Sequence, residues 1–405
     1  MQAMYERCCG IDVHKRGIVA CLRNGKEAEL RSFNTLTCDL KGMATWLKEN
    51  GCEIVAMEST GTYWKPIYNM LELQGIEVMV VNAQHMRNVP GRKTDAKDAE
   101  WISELLQHGL LKASYIPSKD ERELREIVRY RKSLVEERSR EINRLEKTLE
   151  GANIKLSSYV SSITGVSSRK LLGKAMTSQV TEENIEALLH PSMRAKKEDL
   201  VKAMDGMMTD LQKRLVTAIQ SHIDDMSRRI ADMDDVINGR MRDYEGALKK
   251  LVEMPGIARR SAETILSEIG MDMSRFPTAP HICSWSGLSP GNNESAGKRK
   301  NGRTCKGNKT LKTTMIQCAK SAVKNKESFF HAQYERLVVR RGANRATVAV
   351  AHSMLIAIYH MLKYDETYVD LGSTYYTKFN TKSKVKYHLD KLKELGVTLP
   401  VAQTI

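Results

Sequence analysis

Residues 8–33, CCGIDVHKRGIVACLRNGKEAELRSF, decide the fold of the N-terminal part. Apolar and polar residues alternate through two runs, 8–22 and 28–33. Between them stands Asn24-Gly25, a pair favoured in tight hairpin turns because both residues tolerate positive φ. The pattern predicts two antiparallel strands. Downstream, residues 40–49 are helix-like, 53–57 form a short apolar strand, 64–73 a helix, 77–81 another strand and 95–108 a helix. A hairpin followed by strand–helix alternation is an α/β layout on a mixed sheet.

The middle of the chain changes character. Val128, Val135, Ile142 and Leu149 recur every seven residues, Leu124 and Leu145 occupy the companion seam, and Arg131 and Arg138 interrupt it. Val216, Ile219, Ile223, Met226, Ile230, Met233 and Ile237 alternate at spacings of three and four. Both runs predict long helices able to pack as a coiled coil, within one chain or between chains. A hairpin linking two domains and a dimerisation arm fit this pattern equally well. Residues 251–270 place Pro255-Gly256-Ile257 between two helical segments. This is either a helix-hairpin-helix, whose turn offers N–H groups to a phosphate, or a plain packing unit. Helices continue to about Tyr364, and a polar tail follows.

At 405 residues the chain has room for two or three domains. Hydrophobic residues at 41% and charged residues at 28% exclude global disorder. The net charge of +15 suits a polyanionic partner, nucleic acid before a membrane surface. Eight cysteines form no CxxC pair, so neither a zinc site nor a disulfide framework is expected, and a reducing cytoplasm fits. Glu6, Arg7 and Asp12 break any secretory apolar run at the N-terminus. The apolar stretch 346–362 is short for a bilayer and contains His352 and His360, so a buried helix is expected and no membrane partner.

Four acids stand out by position. Asp12 lies on the first strand, and alternation sends it to the face opposite Ile11 and Val13. Glu58 ends a later strand, while Asp95 and Asp98, three apart, share one helix face. Clustered carboxylates repel one another unless a cation neutralises them. Mg²⁺, or Mn²⁺ in its place, prefers such hard oxygen ligands and leaves positions open for water and phosphate. Singly, each acid also has a bland explanation: Asp12 or Glu58 as a cap, Asp98 as a solvated helix residue. His14 and Lys15 are either phosphate contacts or ordinary hairpin residues.

Residues 295–326 contain ten Lys or Arg and no acid. Ser295 precedes Gly297 and the cluster Lys298, Arg299, Lys300 and Arg303, and Lys306, Lys309 and Lys312 follow every three residues. These cations suit a nucleic-acid backbone but read no base. A serine hydroxyl is a weak nucleophile without a base or a metal, and no histidine neighbours Ser295 in sequence, so the residues alone fit a loop serine touching phosphate. Trp285, Tyr63 and Trp64 are either core residues or stacking platforms for bases.

GIDVHK (10–15), AMESTGTYWKP (56–66), VNAQHMRNVPGRKTDAKDAEW (81–101) and GLSPGNNESAGKRKNGRTCKGNKTLK (287–312) resemble the DEDD transposases of bacterial insertion sequences. Their relatives include a pilin-gene DNA invertase and the bridge-RNA-guided recombinases. The similarity extends through the helical middle, in RYRKSLVEERSREINRLEKTLEGANIKL (129–156) and ITGVSSRKLL (163–172). The resemblance implies a RuvC-like, ribonuclease-H-fold domain over 1–115 whose metal-binding tetrad falls on Asp12, Glu58, Asp95 and Asp98. A helical linker or dimerisation region would span 116–250, a C-terminal transposase domain 251–364 and an accessory tail 365–405. Its nucleophile falls on Ser295; the family has Ser directly before Gly, this chain inserts Ala296, and Ser289 is the alternative.

The resemblance further implies a 5′-phosphoserine intermediate and a dimer that pairs into a tetramer on donor and target DNA. A structured bridge RNA would choose the sites, in a bacterial cytoplasm. Two other classes stay open. One is a RuvC-like endonuclease acting by hydrolysis, and the other a nucleic-acid-binding scaffold without catalysis.

Overall fold

A computed structural model describes residues 3–59, 61–82, 95–291, 293–295, 298–301 and 303–396, the side chains of 95–97, 293–295, 298–301 and 377–384 lying outside that description. The chain divides into two compact units, Met1–Pro117 and Ser118–Ile405.

The first unit is a five-stranded mixed sheet with helices on both faces. Its strands are β1 (Arg7–Val13), β2 (Gly17–Asn24), β3 (Glu27–Asn34), β4 (Ile54–Glu58) and β5 (Glu77–Val81), in the order β3-β2-β1-β4-β5. The first three strands are antiparallel, while β4 runs parallel to β1 and β5 parallel to β4. The run 8–22, expected as one strand, is two. His14, Lys15 and Arg16 are exposed, and the His14 N–H donates to the Gly17 carbonyl at 3.0 Å, closing a tight turn.

Alternation assigns each face of this sheet. Cys9, Ile11, Val13, Ile18, Ala20, Val55 and Met57 form a core with α1 (Thr37–Glu49) and α2 (Trp64–Leu73). There Leu47, Met57, Ile67 and Leu71 are fully buried, each stabilising the unit by about 2 kcal/mol. The opposite residues Cys8, Ile54, Ala56 and Val81 pack against Ile102, Leu105 and Leu106 of α3 (Asp95–Gln107).

The second unit is mostly helical. It opens with α4 (Lys119–Gly151), started by a capping box in which Ser118 accepts from the Glu121 N–H and Glu121 accepts from the Ser118 N–H. Helices α5 (Val166–Thr177), α6 (Glu182–Ile185) and α7 (Lys197–Met204) share one apolar core with Leu145 and Leu149. The chain then returns along α8 (Asp210–Arg240), which lies antiparallel to α4 in the same molecule. The arginines that interrupt the heptad seam find partners across this pair: Arg131 holds Asp234 at 2.6 Å, and Arg138 reaches the Ser227 hydroxyl at 3.4 Å.

Beyond it come α9 (Glu245–Val252), α10 (Arg259–Ile269), α11 (Ala279–Trp285), the hairpin β6 (Asn293–Ser295) and β7 (Lys298–Asn301), and α12 (Lys309–Ala322). The chain continues through α13 (Phe329–Arg341), α14 (Ala343–Tyr364) and α15 (Tyr375–Glu394). In the turn between α9 and α10, Gly256 has φ +84°, and a Cβ there would stand 2.4 Å from the Cys318 carbonyl oxygen. This turn therefore packs directly on α12. Helix α14 has the length and apolar composition to cross a membrane, yet Val350, Met354, Leu355 and Ile358 are fully buried where it meets α11, α12 and α13. The tail begins docked on α13, with Tyr375 and Tyr376 packed on Phe329 and Arg336 over the Tyr376 ring.

Candidate active site

The parallel pairing of β1 and β4 puts Ile11 opposite Met57, so the next residues, Asp12, one short of the end of β1, and Glu58, the last of β4, follow side by side. Both follow the parity of Cys8, Ile54 and Ala56 and so face α3. The Asp12 side chain is 16% exposed, with His14 Nε2 at 2.9 Å from its Oδ2.

Helix α3 runs antiparallel to β1 across this face. The Met4 N–H donates to the Gln107 carbonyl at 2.7 Å, Cys8 Sγ lies 3.7 Å from the Ser103 carbonyl, and a Cβ on Gly10 would stand 2.4 Å from the Ala99 carbonyl oxygen. Two strand residues advance about 6.6 Å and four helix residues about 6 Å. Asp12 is therefore level with the first turn of α3, where Asp95 opens the helix and Asp98 is half-buried. The Asp95 side chain lies outside the described residues. Among the described residues, no three His, Cys, Asp or Glu side chains gather closely enough to hold an ion. The acids along this edge offer carboxylate oxygens, which suit a hard divalent cation, with the His14 imidazole beside Asp12.

Ser295 ends β6 and pairs with Lys298, the first residue of β7, so it stands at the tip of a hairpin. Its side chain, and those of Lys298, Arg299 and Lys300, lie outside the described residues. The root of the hairpin is closed by a Pro290–Thr304 bridge and by the Gly291 N–H donating to the Arg303 carbonyl at 2.9 Å. Ser289, just before the root, is half-buried, and its carbonyl accepts from the Cys305 N–H at 3.1 Å. Arg303, Lys306 and Lys309 are exposed, whereas Lys312 is half-buried and donates to the Thr304 hydroxyl at 2.5 Å. Of the aromatic residues, Trp285 packs on Phe276 and Trp64 on Tyr68, while Tyr63 is exposed.

A buried carboxylate anchors this segment. Glu268 on α10 is fully buried and accepts two bonds from Arg129, at 2.7 and 2.8 Å, with Arg125 Nε at 3.3 Å. Its third partner is Asn308 Nδ2 at 2.6 Å, and the Asn308 Oδ1 caps α12 by accepting from the Leu311 N–H. Sequence reasoning passed over Glu268. The available signal was Asn308 itself, a helix-capping residue just ahead of an apolar-periodic segment. It also assigned nothing to Arg341 and Arg345, which with Arg303 and His352 line a cleft of about 1050 Å³ beside the hairpin root. Burial holds the His352 imidazole below its ordinary 6.5, although a hydrogen bond with the Leu288 backbone opposes the shift.

Residues 9–154 match the DEDD transposase model of the IS110 group, and residues 248–335 match a model described as "Transposase IS116/IS110/IS902 family". The chain belongs to the IS110 family of transposases. It is therefore an enzyme acting on DNA. The first match contains Asp12, Glu58, Asp95 and Asp98, and the second contains Ser289, Ser295 and the basic segment to Lys312. This IS110-family transposase is 25% identical over 366 residues to a "Probable family 20 transposase" of Pseudomonas aeruginosa, covering 89% of this chain and 94% of that one. It is 22% identical over 326 residues to the "Transposase for insertion sequence element IS1111A" of Coxiella burnetii, covering 78% and 79% respectively. An "Insertion element IS110 uncharacterized 43.6 kDa protein" of Streptomyces coelicolor is 25% identical over 323 residues, with 71% of this chain and 76% of that one aligned.

Proposed function

We propose that this transposase exchanges DNA strands through a covalent 5′-phosphoserine link on Ser295, and that its first unit is a RuvC-like domain in which Asp12, Glu58, Asp95 and Asp98 hold a divalent cation. The observation that carries this is the placement of Asp12 and Glu58 near the C-terminal ends of adjacent parallel strands, facing the helix that Asp95 opens. Bound there, Mg²⁺ would neutralise the clustered carboxylates and polarise a scissile phosphate.

Ser295 Oγ attacks the phosphorus, the bond to O3′ breaks, and the serine proton ends on that O3′. The 3′-hydroxyl of a partner strand then attacks the phosphoserine, and Ser295 leaves with its proton restored. The phosphodiester energy is conserved in the covalent link, consistent with a sequence that contains no GxxxxGK[ST] motif. The basic segment around Ser295 supplies backbone contacts without a base-reading motif, which supports delegating site choice to base pairing with a structured RNA. The active form would be a dimer pairing into a tetramer on donor and target DNA, with the helical region in a linking or dimerising role.

The test is to trap a protein–DNA adduct in Mg²⁺ under denaturing conditions and map it by mass spectrometry. An adduct on Ser295, absent in Ser295→Ala and in Asp12→Asn, is expected. A Ser295→Ala protein that still cuts with no adduct would establish instead a RuvC-like endonuclease acting by hydrolysis.

A further inference from the structure

The cleft beside the hairpin root is lined by three arginines, Arg303, Arg341 and Arg345, and by no carboxylate among the described residues. Its walls include apolar Leu337 and Val348 and the amides Gln333 and Asn344. Gln333 donates from Nε2 to the Ser353 hydroxyl at 2.8 Å, while its Oε1 is buried without a partner among the described residues. We propose that this cleft binds an unpaired stretch of polynucleotide, its phosphates on the arginines and its bases on the apolar wall.

Folding alone gives a poor account of the charge on Arg345. Arg345 lies in the first turn of α14, where the helix dipole disfavours a cation, whereas Arg340 and Arg341, across Gly342, occupy the last turn of α13, where the dipole favours one. Residues that break a local rule without a structural return mark functional sites more often than surface positions. An anion in the cleft offsets the unfavourable dipole at Arg345. A duplex would meet the arginines through its phosphates and leave the apolar wall and the recessed Gln333 amide unused. A flexible single strand can present both phosphate and base face. At about 1050 Å³ the space is at the top of the range of roughly 300–1,000 Å³ typical of ligand clefts, large enough for a nucleotide. The inference rests on the family's action on nucleic acid. It needs neither Ser295 as nucleophile nor a metal on the carboxylates.

The experiment maps phenylglyoxal modification of arginines in the full chain by mass spectrometry. Probes are oligothymidine and oligouridine of about 12 nucleotides, within the usual site size of single-strand binders, and a duplex of the same length. Arg341 and Arg345 are expected to be protected by one or both single strands and much less by the duplex. The oligomer that protects identifies the strand as DNA or RNA. Arg228, 72% exposed on α8, is the control that stays reactive. The pair Arg341→Gln and Arg345→Gln is expected to weaken single-strand binding about tenfold or more and to flatten its log-salt slope by about 1.4, from two lost phosphate contacts. Both positions are exposed, so an unchanged melting temperature checks that the fold is kept.

Protection by the duplex alone, or equal loss of affinity when Arg140 and Arg228 are neutralised instead, would overturn the proposal. Ser295→Ala and Asp12→Asn proteins should keep the protection. Failure of the adduct experiment and failure of this one are therefore separate results.

Discussion

Gly10 and Ala99 meet backbone to backbone: a Cβ added to Gly10 would stand 2.4 Å from the Ala99 carbonyl oxygen and 2.3 Å from the Ser103 amide nitrogen. This contact sets the level of α3 against β1, and with it the level of Asp98 beside Asp12. Gly10→Ala must push strand and helix apart, at a cost of about 1–3 kcal/mol for overpacking. Recombination should fall further than the loss of stability explains, because the carboxylate edge is opened as well. Calorimetry and a strand-exchange assay on the same protein decide it; full stability and full activity together would show that the contact is not tight.

Asp12 and Glu58 carry like charges near the C-terminal ends of neighbouring strands. A cation held between them, as proposed, would stabilise the folded chain by mass action, about 2.7 kcal/mol when its concentration is 100 times the dissociation constant. Mg²⁺ should therefore raise the melting temperature of the native chain. In Asp12→Asn that rise should shrink or vanish. Equal Mg²⁺ shifts in both proteins would place the ion elsewhere.

The mixed sheet was legible because alternation and turn chemistry are local. The extra turn at His14–Arg16 was legible too, through a signal that was missed: the apolar residues that face α1 and α2 are odd at Cys9, Ile11 and Val13 and even at Ile18, Ala20 and Leu22, and a continuous strand cannot switch parity. For the long helices, the seam was readable but its partner was not. A heptad specifies an apolar stripe, and only the fold shows Arg131 reaching Asp234 in the same chain. The face of Asp12 followed from its neighbours, yet its nearness to α3 depends on Gly10, whose missing side chain has no pattern to announce it. The arginine cleft draws residues from 288 to 353 on separate elements, a convergence that no periodicity encodes.

Glu121 links acid sensitivity to the start of α4. Burial raises its carboxyl pKa, but the opposing interactions win: the Arg275 guanidinium at 2.6 and 2.8 Å, with the Ser118 N–H at 2.9 Å and hydroxyl at 3.0 Å, holds it below its ordinary 4.5. A carboxyl depressed by folding stabilises fully above its unfolded value and loses that contribution as pH falls through the folded one. The native chain should exceed Glu121→Gln in melting temperature by a constant margin at neutral pH. That margin should narrow as the pH drops below the ordinary 4.5. A margin independent of pH would mean that the charge on Glu121 contributes nothing.

Glu268 joins three elements of the second unit, because one fully buried carboxylate serves α4, α10 and the cap of α12. Removing it takes the carboxylate from Arg125, only 15% exposed and otherwise held by the Ser267 and residue-268 backbone carbonyls, and leaves a cavity beside it. Loss of one partner from such a buried pair costs about 3–5 kcal/mol, so Glu268→Ala should be among the most damaging single changes in this unit. Asn308→Ala removes a cap worth about 1 kcal/mol together with its bond to Glu268. Since the two share that 2.6 Å hydrogen bond, their effects should not add, and the double variant should fall short of the sum by about 0.5–3 kcal/mol. Urea unfolding of the four proteins in the cycle measures this directly. Strict additivity would mean that the cap of α12 is set independently of the buried carboxylate, and the hairpin root with it.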